Sequence, residues 1–172
     1  MTTRTWIKIC GIRDVETAVI AAEAGADAVG LVLAHGSPRT LDPAAARALL
    51  ATLPDHLEAV AVFRDQPRAE VEAWPGPIVQ LHGCETPDDL PARHRVIRAL
   101  SWQDGELEAW DADPRVERLL IDGPDAGSGE AYDYAAVAAR LRELRTPWIL
   151  AGGLDAERVG TVVRDVRPWG VD

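Results

Sequence analysis

Short apolar runs alternate with amphipathic segments along the whole chain. Eight of the runs are rich in β-branched and aliphatic residues and are bounded by turn residues, a pattern typical of strands. They span Trp6–Cys10, Asp27–Leu33, Leu57–Phe63, Pro77–Leu81, Arg95–Ala99, Val116–Asp122, Trp148–Ala151 and Trp169–Asp172. Seven segments with helical or near-helical patterns lie between them, so the chain predicts an α/β protein with a parallel sheet.

The helical segments differ in the strength of their patterns. The first, from about Val15 to Ala24, has apolar residues at i, i+3, i+4 and i+7 and a predicted stop at Gly25. Its apolar residues Val15, Ala18, Val19 and Ala22 are predicted to share one face. The sixth and seventh segments follow predicted caps at Asp133 and Asp155. The two weakest patterns, the fourth and fifth, span about Thr86–Leu90 and Gln103–Ala109.

The alternation of strand and helix extends over the whole chain as (βα)7β8. Eight strands predict a (βα)8 TIM barrel, here lacking its last helix. The alternative is an open doubly wound sheet, which typically has a Gly-rich first turn. The turn after the first predicted strand, residues 10–14, reads CGIRD and has no G-x-G-x-x-G pattern. No linker divides the 172 residues, so we expect a single domain over 1–172.

Polar residues alternate with apolar ones in several predicted strands. In the first strand, Lys8 and Cys10 share one face, and Lys8 is the only lysine of the chain. In the fourth and sixth strands, Gln80, His82 and Asp122 occupy the corresponding positions. Because a barrel strand presents alternate residues to the interior, these five side chains are predicted to point inward. Cys10, His82 and Asp122 lie nearest the carboxyl ends of their strands, where barrel active sites are found.

Charge and cysteine content exclude several classes of function. The formal net charge is −10 and the pI is near 4.8, which argues against binding to nucleic acid or to an anionic membrane surface. No apolar run approaches the roughly 20 residues of a membrane span, and the N-terminus lacks a secretory pattern. Cys10 and Cys84 are far apart and have no metal-ligand spacing, so we expect neither a disulfide nor a metal site, and a cytoplasmic location.

A series of motifs, spread from the first predicted strand to the last residue, carries a family resemblance. They are residues 7–12 (IKICGI), 25–30 (GADAVG) running to 37–39 (SPR), 79–83 (VQLHG), 120–124 (LIDGP), 127–133 (GSGEAYD), 150–154 (LAGGL) and 167–172 (RPWGVD). Each motif alone is weak, but their order and spacing are specific. In these motifs the chain resembles the phosphoribosylanthranilate isomerase family of tryptophan biosynthesis.

The resemblance implies an intramolecular aldose-to-ketose isomerisation. In the family, N-(5-phosphoribosyl)anthranilate undergoes an Amadori rearrangement to 1-(2-carboxyphenylamino)-1-deoxyribulose 5-phosphate, with no metal or organic cofactor. The family's catalytic base falls on Cys10 and its acid on Asp122. A thiol with the ordinary pKa of about 8.5 is mostly protonated at neutral pH, so Cys10 needs an activating setting, to which Lys8 could contribute. Asp122 must be protonated to act as an acid, and Asp172 is a candidate neighbour that favours this.

The resemblance also implies residues that bind the substrate. Arg39 of the SPR motif is expected to hold the anthranilate carboxylate, since a guanidinium fork matches that geometry. The other expected binding residues are His82, Gly152, Gly153, Asp172 and Lys8. Glycines in the loops after the sixth and seventh strands allow the close backbone approach that a phosphate needs, at Gly127–Gly129 as well as at Gly152 and Gly153.

The sequence departs from the family's pattern at its end. The family continues beyond the segment matched by Asp172 into a further phosphate loop and a last helix, so we expect a C-terminally truncated barrel. An apolar patch is then expected beside the eighth and first strands, favouring self-association. Two alternatives stay open: another phosphosugar barrel, such as a ribulose-phosphate epimerase or indole-glycerol-phosphate synthase, or a non-catalytic barrel that binds a phosphate ligand or a partner. A fusion or complex with other tryptophan-pathway enzymes is a possible arrangement.

Overall fold

The computed structural model describes residues 4–103, 106–123 and 133–172. Its strands are β1 Trp6–Cys10, β2 Ala28–Val32, β3 Glu58–Phe63, β4 Ile78–Leu81, β5 Arg95–Ser101, β6 Val116–Asp122, β7 Trp148–Leu150 and β8 Gly170–Val171. Its helices are α1 Val15–Glu23, α2 Pro43–Leu50, α3 Arg68–Glu72, α4 Leu107–Asp111, α5 Tyr134–Leu141 and α6 Val159–Val166, with a 3₁₀ turn at Pro87–Asp89. None of the described helices is both long and apolar enough to cross a membrane.

The eight strands follow chain order in one closed parallel barrel, which confirms the predicted fold class. Contacts divide the chain into two compact units. One unit, here the β1–β4 unit, contains Ile7–Ile97. The other, here the β6–β8 unit, contains Arg98–Asp172 together with the N-terminal segment through Trp6.

Helix α1 of the β1–β4 unit begins and ends where local chemistry dictates. The Asp14 side chain accepts a hydrogen bond from the Thr17 N–H at 2.7 Å, capping the first turn. Gly25 ends the helix with a φ of 96°, as expected for a left-handed stop. Ala18 is buried, whereas Val15, assigned to the same face, is 41% exposed. The apolar face of α1 turns toward Ala18 and Ala21, and Val15 lies beside it.

Of the two caps predicted in the β6–β8 unit, the one at Asp133 is confirmed and the one at Asp155 lies before its helix. Asp133 caps α5 by accepting a hydrogen bond from the Ala136 N–H at 3.0 Å. Asp155 accepts from the Arg158 N–H at 2.8 Å, but it organises the turn before α6, which begins only at Val159. Val162 and Val166 of α6 are buried.

An arginine lies over two indole rings at the amino-terminal side of the β6–β8 unit. The Arg118 guanidinium lies 4.7 Å from the ring centroids of both Trp6 and Trp169. The two rings are 5.3 Å apart, and the Trp6 N–H donates to the Trp169 carbonyl at 3.0 Å. Arg118 is 7% exposed, so the cation–π contacts take the place of much of its hydration. This cluster is at the amino-terminal ends of the strands, the barrel end associated with stability.

Several predicted boundaries are wrong where the apolar pattern is weak. The fourth helical segment is only a 3₁₀ turn, and the fifth forms a helix at Leu107–Asp111 rather than at Gln103–Ala109. Strand β5 extends to Ser101, and β8 is limited to Gly170–Val171. Short segments of this kind carry little periodicity, so backbone pairing and packing decide their limits.

Candidate active site

Cys10 ends β1 and is placed by a glycine on the neighbouring strand. In the β1–β2 ladder, Cys10 lies opposite Gly30. A Cβ atom added at Gly30 would lie 2.7 Å from Cys10 Sγ, closer than packed atoms tolerate. The half-buried thiol also packs against Val32, Ala34 and Val62. Gly30 therefore provides the space that the Cys10 side chain occupies.

Arg39 lies directly over the turn that follows Cys10. A Cβ atom at Gly11, whose φ is 89°, would lie 2.5 Å from Arg39 Cδ. Arg39 Nη1 donates to the Cys10 carbonyl at 3.4 Å, and the side chain is otherwise exposed. The loop is fixed by Thr40, whose hydroxyl donates to the Ala34 carbonyl at 2.6 Å. A positive group thus stands beside the end of β1 with donors directed toward solvent.

Lys8 lies two residues before Cys10 on the same face of β1. It is 1% exposed, one of the largest fully buried side chains among the described residues. Gln80, on β4, is 2% exposed. These burials agree with the predicted inward orientation.

His82 follows β4 in a pair of loops that one buried carboxylate joins. Glu85 is 7% exposed and accepts hydrogen bonds from the Gly83 N–H at 2.7 Å and the Asp65 N–H at 2.9 Å. Asp65 in turn accepts from the Cys84 N–H at 2.6 Å. The backbone N–H of His82 donates to the Phe63 carbonyl at 3.0 Å. The loops after β3 and β4 are therefore held together around His82.

Sequence reasoning did not find Glu85 or its partner Asp65. Asp65 has a φ of 57°, and a Cβ atom at Gly83 would clash with the Asp65 carboxylate. Both features are set by contacts between two loops that are about 20 residues apart in the chain. A carboxylate that follows a strand end and a glycine was the available signal, but its partners lie outside any local pattern.

Asp122 ends β6 and is nearly buried, at 5% exposure. Its Oδ1 accepts a hydrogen bond from the Gly123 N–H at 2.7 Å, which fixes the carboxyl orientation. Its carbonyl accepts from the Trp102 N–H at 3.3 Å. The predicted position of Asp122 at a strand end is therefore confirmed, and its side chain is held by its own loop.

Tyr134, the first residue of α5, connects the Asp122 region to the loop after β7. Its hydroxyl donates to the Gly152 carbonyl at 2.8 Å. Burial raises the Tyr134 pKa above its ordinary value, Arg158 opposes this, and the negative charges of Asp155 and Asp122 raise the pKa further. The phenol therefore remains a proton donor at neutral pH, within the electrostatic reach of Asp122. The sequence pattern gave Tyr134 no role in the site.

The loop after β7 contains two glycines in the left-handed region. Gly152 and Gly153 have φ values of 84° and 65°, which strongly favour glycine. Arg158 Nη1 donates to the Gly153 carbonyl at 3.3 Å. Directly after β8, the Asp172 N–H donates to the Leu150 carbonyl at 2.9 Å, extending the β7–β8 pairing.

The predicted site residues divide between the two compact units. Lys8, Cys10, Arg39 and His82 belong to the β1–β4 unit, and Asp122, Gly152, Gly153 and Asp172 belong to the β6–β8 unit. The predicted glycine loop 127–129 lies outside the described residues. In the parts of the chain that the structure describes, no group of three or more His, Cys, Asp and Glu side chains is arranged to hold a metal ion.

Comparison with known proteins gives a consistent result. Residues 7–172 match the model of the N-(5'phosphoribosyl)anthranilate (PRA) isomerase family. An N-(5'-phosphoribosyl)anthranilate isomerase of Pseudomonas putida (strain W619) is 44% identical over 176 residues, which cover 96% of this chain and 84% of that protein.

Two solved structures are similar over nearly the whole chain. The phosphoribosyl anthranilate isomerase of Thermus thermophilus has a TM-score of 0.87 at 39% identity, covering 98% of this chain and 86% of that one. A phosphoribosyl anthranilate isomerase in complex with reduced 1-(o-carboxyphenylamino)-1-deoxyribulose 5-phosphate has a TM-score of 0.83 at 29% identity, covering 98% and 86% of the two chains. Family match, sequence identity and fold therefore agree that this chain belongs to the N-(5'-phosphoribosyl)anthranilate isomerase family.

Proposed function

We propose that the chain converts N-(5'-phosphoribosyl)anthranilate into 1-(2-carboxyphenylamino)-1-deoxyribulose 5-phosphate, an isomerisation in tryptophan biosynthesis. The observation that carries this function is the family match over residues 7–172, which includes every strand end with a predicted site residue. The substrate is a small molecule with an aromatic carboxylate at one end and a phosphate at the other. A cytoplasmic location and an association with other tryptophan-pathway enzymes belong to the same proposal.

The reaction needs one acid and one base and leaves the atomic composition unchanged. Protonation of the ribose ring oxygen breaks its bond to C1, while the nitrogen lone pair forms a C1–N double bond. Removal of the C2 proton then gives an enol-amine, which becomes the ketone by tautomerisation. Because both proton transfers occur at fixed substrate atoms, each catalytic group must be held in place before the substrate reacts.

Cys10 is the proposed base that takes the C2 proton. Its thiolate is the reactive form, and nearby positive charge favours thiolate over thiol. Arg39, in contact with the Cys10 carbonyl, and the buried Lys8 on the same strand face are the cations that support this role. Close packing of Sγ against Gly30 restricts the positions of the thiol, which favours a constant distance to the C2 proton.

Asp122 is the proposed acid that protonates the ring oxygen. The Gly123 N–H holds one carboxyl oxygen at 2.7 Å, so the group is oriented before substrate binds. Tyr134 supports the same region by joining α5 to the Gly152 carbonyl. Asp172, at the end of β8, belongs to the proposed binding site with it.

The two ends of the substrate match different parts of the proposed site. The exposed Arg39 guanidinium is suited to the anthranilate carboxylate, because it offers paired donors in one plane. Gly152 and Gly153 suit the phosphate, since their backbone is not shielded by a Cβ atom. His82, held by the Glu85-linked loops, and Lys8 complete the proposed binding residues.

Steady-state turnover of phosphoribosylanthranilate, followed by loss of its fluorescence, tests the function. We expect Cys10→Ala to lower kcat by about 10²- to 10⁴-fold, the contribution of a general base. Cys84→Ala is the matched control, because Cys84 is exposed and outside the proposed site. A Cys10→Ala variant that folds and retains turnover within about tenfold would contradict the base assignment. Turnover of other phosphosugars but not of phosphoribosylanthranilate would contradict the function itself.

A further inference from the structure

The loop after β7 contains backbone N–H groups that have no acceptor within the described part of the chain. Among the described residues, none accepts a hydrogen bond from the N–H of Gly152, Gly153 or Leu154. The residue before them, Ala151, still pairs within the barrel, because its N–H donates to the Ile121 carbonyl at 2.8 Å. All three residues of the loop are half-buried, where N–H groups normally have partners. Successive N–H groups of this kind suit an anion.

Both carbonyl groups of the glycine pair, in contrast, are occupied. The Tyr134 hydroxyl donates to the Gly152 carbonyl at 2.8 Å, and Arg158 Nη1 donates to the Gly153 carbonyl at 3.3 Å. A trans peptide directs its N–H opposite to its C=O, and no described peptide bond is cis. The N–H of Gly153 therefore points away from the Tyr134 hydroxyl, and the N–H of Leu154 points away from Arg158.

The two side chains constrain the loop to different degrees. The hydrogen bond of Tyr134 is partly buried and has the usual length for a hydroxyl donor. The Arg158 side chain is 55% exposed, and it also forms an ion pair with Asp155 at 3.2 Å, so water and salt compete with its contact. Burial raises the pKa of Tyr134, which keeps the phenol a proton donor at neutral pH. Tyr134 is therefore the stronger of the two constraints.

The glycines themselves cannot fix the direction of their peptides. Gly152 and Gly153 have φ values of 84° and 65°, and glycine changes its dihedral angles at little cost. A hydrogen bond from a rigid side chain selects one orientation among those that glycine allows. Tyr134 is also within the electrostatic reach of Asp122, whose negative charge contributes to its raised pKa. One phenol thus lies between the end of β6 and the loop after β7.

We propose that Tyr134 is a positioning residue for the phosphate of the substrate. Its hydroxyl holds the Gly152 carbonyl, so that the Gly153 N–H is directed at the phosphate oxygens before the substrate binds. This role rests on the proposed function, because it takes Gly152 and Gly153 as part of the phosphate site. A hydroxyl that only stabilised the fold would not affect one end of the substrate more than the other.

Tyr134→Phe tests this role, because it removes the hydroxyl and keeps the ring. We expect KM for phosphoribosylanthranilate to rise by at least about tenfold, the effect of one hydrogen bond to a charged group, with kcat within about threefold. The inhibition constant of inorganic phosphate should rise by the same factor, and that of anthranilate should not. Thr52→Val is the matched control: it removes a hydroxyl that donates to the Leu49 carbonyl, also at 2.8 Å, and should change none of these constants.

Arg158→Met separates the hydrogen bond of Tyr134 from an effect of charge. Loss of the exposed Arg158 cation weakens the attraction of a phosphate, so its effect on KM should shrink in added salt. Tyr134→Phe removes no charge at neutral pH, so its effect should persist in salt. Unchanged KM and phosphate inhibition in Tyr134→Phe would overturn the proposal. Equal rises in the inhibition constants of phosphate and anthranilate would overturn it as well.

A binding measurement distinguishes failure of this role from failure of the proposed function. Inorganic phosphate at constant ionic strength should raise the Tm of the wild-type chain, and the rise should be smaller in a cooperatively melting Tyr134→Phe. If the wild-type chain shows this difference without turnover of phosphoribosylanthranilate, the function fails and the positioning role stands. If the wild-type chain turns over its substrate and Tyr134→Phe keeps the full phosphate shift, the function stands and the positioning role fails.

Discussion

The two faces of β1 reverse the usual relation between polarity and burial. Lys8 is 1% exposed, while its neighbour Ile9 is 43% exposed. Both belong to one five-residue strand, and the alternation of strand side chains sends them in opposite directions. The inner face ends at the half-buried Cys10, and the outer face carries Ile9. The alternation of side chains along the strand, and not hydropathy, decides which residue faces the interior here.

The comparison teaches that the two faces of β1 should respond differently to substitution. A lysine on the inner face costs hydration and is therefore suited to a chemical role. An isoleucine on the outer face buries only part of its apolar surface within this chain, so its substitution should cost less than that of a core residue. Variants that act on one face only should separate these two responses.

The largest loss of activity among these variants is expected from a substitution on β2, beside the inner face of β1. Gly30→Ala places a Cβ atom 2.7 Å from Cys10 Sγ and 3.1 Å from Cys10 Cα, so the thiol must move. We expect kcat/KM to fall by about 100-fold, because misplacement by about 1 Å has that effect. The control is Gly160→Ala in α6, where an added Cβ meets nothing within 4 Å and should stabilise the helix by about 0.5–1 kcal/mol. Full activity in Gly30→Ala would contradict a fixed thiol.

The second largest loss of activity is expected when the charge of Lys8, two residues before Cys10, is removed. Lys8→Met keeps the length of the side chain and removes its charge. We expect kcat/KM to fall by about 10- to 100-fold, with partial recovery as the pH rises and more thiolate forms. Thermal stability should fall, because removing one member of a buried polar interaction leaves its partner uncompensated. Arg93→Met, at an exposed position, should change neither quantity. An active, destabilised Lys8→Met would indicate a structural ion pair instead.

A moderate loss of stability is expected when the link between the loops after β3 and β4 is weakened. In Glu85→Gln, the one remaining side-chain oxygen can accept from only one of the two backbone N–H groups, and the other N–H loses its partner. The free energy of unfolding should therefore fall by about 1–3 kcal/mol. The control Glu72→Gln removes an exposed carboxylate that contacts Arg68 at 2.8 Å and should cost less than about 0.5 kcal/mol. Denaturant unfolding measures both. If His82 is positioned by this link, KM should rise in Glu85→Gln and not in Glu72→Gln.

The smallest change in stability is expected from a substitution on the outer face of β1. Ile9→Thr should change the free energy of unfolding by less than about 1 kcal/mol, because the side chain is already 43% exposed. The contrast is Ile149→Thr on β7, which is fully buried at 0% exposure and should cost about 2–4 kcal/mol. Equal costs at the two positions would show that the outer face of β1 is covered in solution.

Prediction from the sequence succeeded where one local signal was strong. The limits of β6, the Asp133 cap of α5 and the stop at Gly25 each follow from residues within a single turn or strand. The exposure of Val15 could not be predicted, because helical periodicity identifies a face but not its angular limits. Glu85 and Tyr134 were missed, since their partners at Asp65 and Gly152 are brought to them by the fold.

The sequence by itself determined the alternation of strands and helices, the inward positions of Lys8, Cys10 and Asp122, and the family resemblance. Periods of two and of about 3.6 residues are properties of the backbone, so they can be read before folding. Only the tertiary structure decided that Gly30 makes room for the thiol and that Glu85 joins two loops. It also decided that the Tyr134 hydroxyl reaches the Gly152 carbonyl. These features depend on distances between residues far apart in the chain, and packing alone sets those distances.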